Sequence, residues 1–181
     1  MQLSNDDITA VFRAIASRLG GSPADAEKRW WLDPFIFTIN FVTPFQLAAS
    51  ATSTLTFLVQ SDSAFAICKT TFTIADVNND AVANLQPYGS GAASSIVAVI
   101  VSLTDSGSGR ALQDNPVPID SYFGTAQFPR LWPVPKVLDP NSVFSTTLQN
   151  LDATAYHVRL AFHGYKIFGN IREWYSRNNV R

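Results

Sequence analysis

Two histidines, one glycine-rich run, a scatter of carboxylates and a lone cysteine are the residues of this 181-residue chain whose types could do chemistry. His157 and His163 fall six residues apart in one alternating stretch. On a regular strand they share a face roughly 20 Å apart, since each residue advances ~3.3 Å. A metal ion with ligands ~2.0–2.1 Å away is out of reach of both together. Tyr156, Val158, Leu160 and Phe162 take the opposite face, which puts the histidines on the more polar side. Ser106-Gly107-Ser108-Gly109-Arg110 has the glycine content of a phosphate loop. It lacks the Gly-Lys-Ser/Thr ending, and a proline-rich stretch follows where a phosphate loop opens a helix. The expectation is a hairpin turn.

The candidate bases for nucleophilic catalysis sit on a single strand, and the chain has no nucleophile elbow. The two glutamates, Glu27 and Glu173, lie in the flanking segments, and aspartates such as those in Asp33-Pro34 and Asp139-Pro140-Asn141 stand in turn settings. Pairing of carboxylates for glycoside hydrolysis is a matter of space, so spacing alone leaves it open. The single Cys68 excludes an internal disulfide and a cysteine metal cluster. Its setting, Phe65-Ala66-Ile67-Cys68, predicts a buried, inert thiol. The expectation is a protein that is not an enzyme and takes no metal or cofactor.

The elements that would position these groups are mostly strands. Ile8, Val11, Phe12, Ile15 and Leu19 follow helical spacing, with Ser4 or Asn5 to cap the start and Gly20-Gly21 to stop it. Ser22-Pro23-Ala24-Asp25 predicts a second short helix up to about Trp31, which Asp33-Pro34 ends. The period then changes to two. Strands are expected over 35–42, 54–60, 64–74, 95–103, 142–150 and 156–168, with loops at 76–91 and 105–110. Residues 95–103 are apolar on both faces, which predicts a central strand covered on both sides. Six of the ten prolines lie between Pro116 and Pro140, so that stretch can supply only edge segments and extended connections. The pattern predicts an all-β fold, an antiparallel jelly-roll β-sandwich of about eight strands with a short helical N-terminal segment, against a closed lipocalin-like barrel as the main competitor. The divisions are a helical arm at 1–33, the sandwich at 34–168 and a basic tail at 169–181.

Charged residues make up only 15% of the chain, below the ~25% usual for soluble domains. Much of the surface is therefore Ser, Thr, Asn and Gln, or is covered by a partner. The net charge of −1 gives no field that would steer the chain to nucleic acid. From Leu32 to Val158 four Lys/Arg stand against nine Asp/Glu, whereas from Arg159 to Arg181 five Lys/Arg stand against one Glu. The tail is thus either a solvated basic segment or one that docks on an acidic partner surface. The start of the chain lacks the basic-then-apolar pattern of a secretory signal, and no apolar run approaches ~18 residues. A soluble protein made in a reducing cytoplasm is expected, with no membrane partner.

Of the four tryptophans, Trp30, Trp31 and Trp174 lie outside the expected core strands. They suit anchoring of the terminal segments, on their own sandwich or on a neighbouring subunit. The expected partner-binding residues are Phe12, Trp30, Trp31, Trp132, Arg172, Trp174, Arg177 and Arg181. Exposed aromatics could equally stack on sugars, so a glycan-binding module of a fibre or tail component is the rival reading.

Leu103-Thr104-Asp105-Ser106-Gly107-Ser108-Gly109-Arg110, Pro116-Val117-Pro118-Ile119, Tyr122-Phe123-Gly124, Pro133-Val134-Pro135, Leu138-Asp139-Pro140-Asn141-Ser142 and the closing Arg159–Phe168 run together resemble the jelly-roll capsid decoration, or cement, proteins of tailed bacteriophages. The likeness covers about Pro34 to Phe168. It implies a structural virion protein on the capsid exterior that bridges capsid subunits, with the major capsid protein and further copies of itself as partners. A homodimer or higher homo-oligomer is the expected form.

Overall fold

A computed structural model describes residues 5–19, 31–42, 45–77 and 99–169. Helix α1 spans Asn5–Leu19. The strands are β1 (Trp31–Phe41), β2 (Thr52–Leu58), β3 (Ala64–Asp76), β4 (Val99–Asp105), β5 (Arg110–Ala111), β6 (Val117–Pro118), β7 (Arg130–Leu138), β8 (Val143–Asn150) and β9 (Tyr156–Phe168), with a one-turn helix α2 (Ile119–Tyr122) between β6 and β7. Among the described residues nine strands stand where about eight were expected. The surplus comes from β5 and β6, two-residue pairings too short to show a period in sequence.

The strands form two antiparallel sheets. Sheet A has the order β1-β9-β3-β7, and sheet B the order β2-β8-β4-β5, with β6 also on β4. Alternation of side chains along each strand makes one face of each sheet apolar. On β9, Tyr156, Val158, Leu160 and Phe162 all point into the core, as the spacing requires. From sheet B, Phe57 and Phe144 meet Phe162 with ring centroids 5.3 Å away in both cases. Phe37 stacks on Phe57 at 4.3 Å, which joins the β1 and β2 edges on one side of the molecule. These contacts hold the sheets face to face. Burying each such ring contributes roughly 1.5–3 kcal/mol before packing terms.

A buried ion pair ties the sheets at one end. Asp105 closes β4 and is 2% exposed; its Oδ2 lies 2.9 Å from Lys136 Nζ on β7. The same carboxylate accepts hydrogen bonds from the Gly107 amide and the Ser108 hydroxyl. The glycine-rich run is therefore the turn joining β4 to β5, as expected, with Gly109 at φ 63°. A Cβ on Gly107 would come within 2.9 Å of the Ser142 Cβ, so the turn is packed against the β7–β8 connection.

The outer face of sheet A is covered by α1. Val11, Phe12 and Ala16 are buried against Ala64, Ala66 and Cys68 of β3, Val137 of β7, and Tyr165 and Ile167 of β9. Small side chains on β3 leave the room that a helix needs. The thiol of Cys68 is buried there, as its sequence setting predicts.

Over its described residues β4 corrects the expectation of a strand covered on both sides. Val99, Val101 and Leu103 are buried, but Ile100, Ser102 and Thr104 between them are not. From Val99 to Asp105 the strand is central in its sheet and buried on one side only.

Replacing Phe12 by Ala is expected to cost about 3 kcal/mol and to loosen α1. Thermal denaturation measures the loss, and faster reaction of Cys68 with a thiol reagent reports the uncovering of the sheet. Thr146 is fully buried among apolar side chains, and its hydroxyl has no hydrogen-bond partner. Thr146→Val is expected to raise stability by up to about 1 kcal/mol, read as a higher midpoint in urea.

Candidate protein-interaction surfaces

Both histidines singled out for chemistry are held in sheet A, and Glu27 and Glu173 lie outside the described residues. His157 is buried on β9. His163 lies on the outer face of sheet A, its Nε2 3.0 Å from Thr71 Oγ1. Burial, and then the nearby Lys69 ammonium, push the His163 pKa below its ordinary value. Among the described residues no group of three His, Cys, Asp or Glu is placed to hold a metal ion. No helix among them is long and apolar enough to cross a membrane.

Three surfaces stand out among the described residues. The first is the β7 edge of sheet A. Phe128 is 78% exposed, Leu131 60% and Val134 69%. β7 pairs with β3 at its two ends, through Arg130 and Leu131 and through Lys136, Val137 and Leu138, and its middle residues 132–135 leave the ladder. Pro133 and Pro135 have no amide proton to give, so the departure follows from the sequence. Trp132 is half-buried and fixes this bend. Its indole donates to Thr70 Oγ1 at 3.2 Å, and the Thr70 hydroxyl in turn donates to the Tyr122 carbonyl. Tyr122 leans on the Trp132 ring and donates its own hydroxyl proton to the Leu112 carbonyl at 3.0 Å. Gly124 sits under the 128–130 backbone, where a Cβ would come within 2.1 Å of the Phe128 carbonyl oxygen. This seam holds Phe128, Leu131 and Val134 outward on a stiff frame.

The second surface is the β1 edge, at the other end of the same sheet. Trp31 is 59% exposed and stacks on Phe168 at 5.6 Å with an interplanar angle of 11°. Ile36, at the middle of β1, is 51% exposed. Lys166 lies over the Phe35 ring at 4.1 Å and donates to Gln60 Oε1, which fills the space between this edge and the β2–β3 turn.

The third is the open face of sheet B. Its outward positions are Thr52, Thr54, Thr56 and Leu58 on β2, Val143, Ser145, Thr147 and Gln149 on β8, and Ile100, Ser102 and Thr104 on β4. None carries a charge. The register sets Thr54 and Ser102 on either side of Thr147, and Thr56 and Thr104 on either side of Ser145. The Thr54 and Thr147 hydroxyls are hydrogen-bonded at 2.7 Å.

Of the residues expected to bind a partner, Trp31 is on the surface and Trp132 is half-buried as a support. Phe12 is buried against its own sheet, in the seat described above. Trp30, Arg172, Trp174, Arg177 and Arg181 lie outside the described residues. Sequence reasoning passed over Ile36, Phe128, Leu131 and Val134. The available signal was apolar residues interleaved with prolines, which prevents their burial as a regular strand. Comparison of the chain with protein-family models and with curated proteins finds no match.

The neutral state of His163 gives a pH dependence. Unfolded, the ring takes a proton near its ordinary pKa of about 6.5; folded, it resists protonation to lower pH. Its contribution to stability is therefore complete above about pH 6.5 and is lost as the pH falls toward the folded value. Urea melts of wild type and His163→Gln should diverge in slope between about pH 7 and pH 5, with the variant losing less.

Proposed function

We propose that this chain is a structural virion protein of a bacteriophage, a cement protein that binds the outside of the capsid and stabilises it by bridging capsid subunits. It works by binding and performs no catalysis. Its partners are the major capsid protein and copies of itself, and its place is the capsid exterior.

The strand order supports reading the fold as a jelly roll. β5 and β6 both pair with β4, and counted as one interrupted strand they leave eight strands in two four-stranded sheets. The eight-stranded jelly roll of two Greek keys has this count. The resemblance of the loop and strand signatures supports the virion assignment.

One observation carries the binding role: the charge-free Ser/Thr face of sheet B. A protein partner can cover this face without desolvating a single ion, a cost that most of a protein's surface would impose. Its hydroxyls offer donors and acceptors to a partner's polar atoms. Many weak copies of such a contact across a capsid add through effective concentration.

Capsids prepared without the protein and then mixed with it should take it up at a fixed ratio, seen by co-sedimentation, and withstand higher temperature. Thr54→Lys and, separately, Thr147→Lys should each weaken uptake at least about tenfold, because each leaves an unpaired charge in the contact. Protein that stays in the supernatant with capsids present removes the proposal.

The exposed Trp31 on its Phe168 support favours a second reading, a glycan-binding module of a fibre or tail component. Such a platform stacks on a sugar ring, so tryptophan fluorescence should change on sugar titration in wild type and not in Trp31→Ala.

A further inference from the structure

We infer that Lys136 and Asp105 join in an intramolecular amide bond, made by the folded chain itself, that ties sheet A to sheet B covalently. The bond needs no partner, so it stands apart from the capsid reading. Three features of the pair go beyond what an ion pair requires.

The first is placement. Asp105 ends β4 of sheet B, Lys136 stands on β7 of sheet A, and Lys136 Nζ lies 2.9 Å from Asp105 Oδ2. The Asp105 side chain is 3% exposed and that of Lys136 24%, so little water stands between or around the reacting groups. Two packed sheets hold the amine against its target, and a nucleophile so held reacts far faster than one that must diffuse.

The second is the set of donors on the carboxylate. The Gly107 amide donates to Oδ1 at 3.0 Å, and the Ser108 hydroxyl donates to Oδ2 at 2.9 Å. When an amine adds to Cγ, negative charge gathers on Oδ1, where the Gly107 N–H already points. Oδ2, held between Lys136 and Ser108, is the oxygen placed to leave.

The third is a second carboxylate. Asp139 Oδ2 and Asp105 Oδ1 both lie 3.3 Å from the point where a Cβ on Gly107 would stand. Asp139 is thus the group under the turn that can carry a proton from the amine to the leaving oxygen.

The step balances without an oxidant or cofactor. The Lys136 ammonium passes one proton to Asp105 Oδ2, which leaves a neutral amine beside a neutral acid. Nζ attacks Cγ, and the carbonyl electron pair moves onto Oδ1. Asp139 takes a proton from the nitrogen and delivers it to the Oδ2 hydroxyl. The Cγ–Oδ2 bond then breaks, water departs and the carbonyl re-forms. One ammonium and one carboxylate become one amide and one water. The single cysteine rules out an internal disulfide, and the amide supplies a cross-link between the sheets that reducing conditions leave intact.

Intact-mass spectrometry of the denatured full-length protein tests this. Wild type should be lighter than its sequence by one water, and tandem spectra of its digest should show the Asp105 peptide joined to the Lys136 peptide. Lys136→Arg and Asp139→Asn, checked for folding by circular dichroism, should each show the full sequence mass. Wild type at its full sequence mass, a water loss that persists in Lys136→Arg, or a joined peptide in Asp139→Asn overturns the inference. The wild-type spectrum decides even where a variant fails to fold.

Discussion

Cys68 has no counterpart on β9: Ile67 pairs with Gly164, and Lys69 pairs with the adjacent His163. This extra residue exchanges the two faces of β3 halfway along its length. Before it, Phe65 and Ile67 point into the core; after it, Thr70, Phe72 and Ile74 do. A regular strand would turn one of these halves outward, since a shift of one residue moves every side chain to the other face. The bulge thus lets a single strand meet sheet B along all thirteen of its residues. It also fixes Gly164, where a Cβ would lie 1.8 Å from the Ala66 carbonyl oxygen. On the outer side the same displacement sets Ala64, Ala66 and Cys68 in a row that α1 covers.

From that constraint the division of labour between the sheets follows. Sheet A spends its outer face on its own helix, so its exposed apolar groups stand at its two edges. Among the described residues sheet B carries no helix, and the outward positions of β2, β8 and β4 are uncharged, mostly Ser and Thr with Leu58, Val143 and Ile100 among them. The inter-sheet aromatic contacts and the Asp105–Lys136 pair make one rigid body of the two sheets.

Much of this was legible in the sequence where period and local chemistry agreed. β9 alternates cleanly from Tyr156 to Phe162, and those four apolar side chains are in the core between the sheets. The prolines of 116–140 announced edge segments, and β6 and β7, the strands of that stretch, pair along sheet edges. The bulge was hidden because Ala64–Ala66 and Cys68 are as apolar as the residues beside them, so a change of face leaves no mark on the pattern. β4 was misjudged for the same reason: Ile100 on its outer face reads as core, although a small helix-free sheet leaves it half in water. Phe12 was expected against a partner and is buried instead against its own sheet, because the row of small residues that seats it, Ala64, Ala66 and Cys68 of β3, shows only once the bulge is known. The exposed apolar edges were least legible. Exposure of Leu131 and Val134 depends on the Trp132–Thr70–Tyr122 seam, whose members are brought together by the fold across 62 residues of chain.

The uncharged Ser/Thr face has a physical corollary for any contact made there. Salt weakens an association by screening charges, and it competes where bound counterions must be released. A surface with neither feature has no such lever. A contact made there between uncharged groups would lose little to screening, and salting-out of its methyl groups and temperature would set its strength instead.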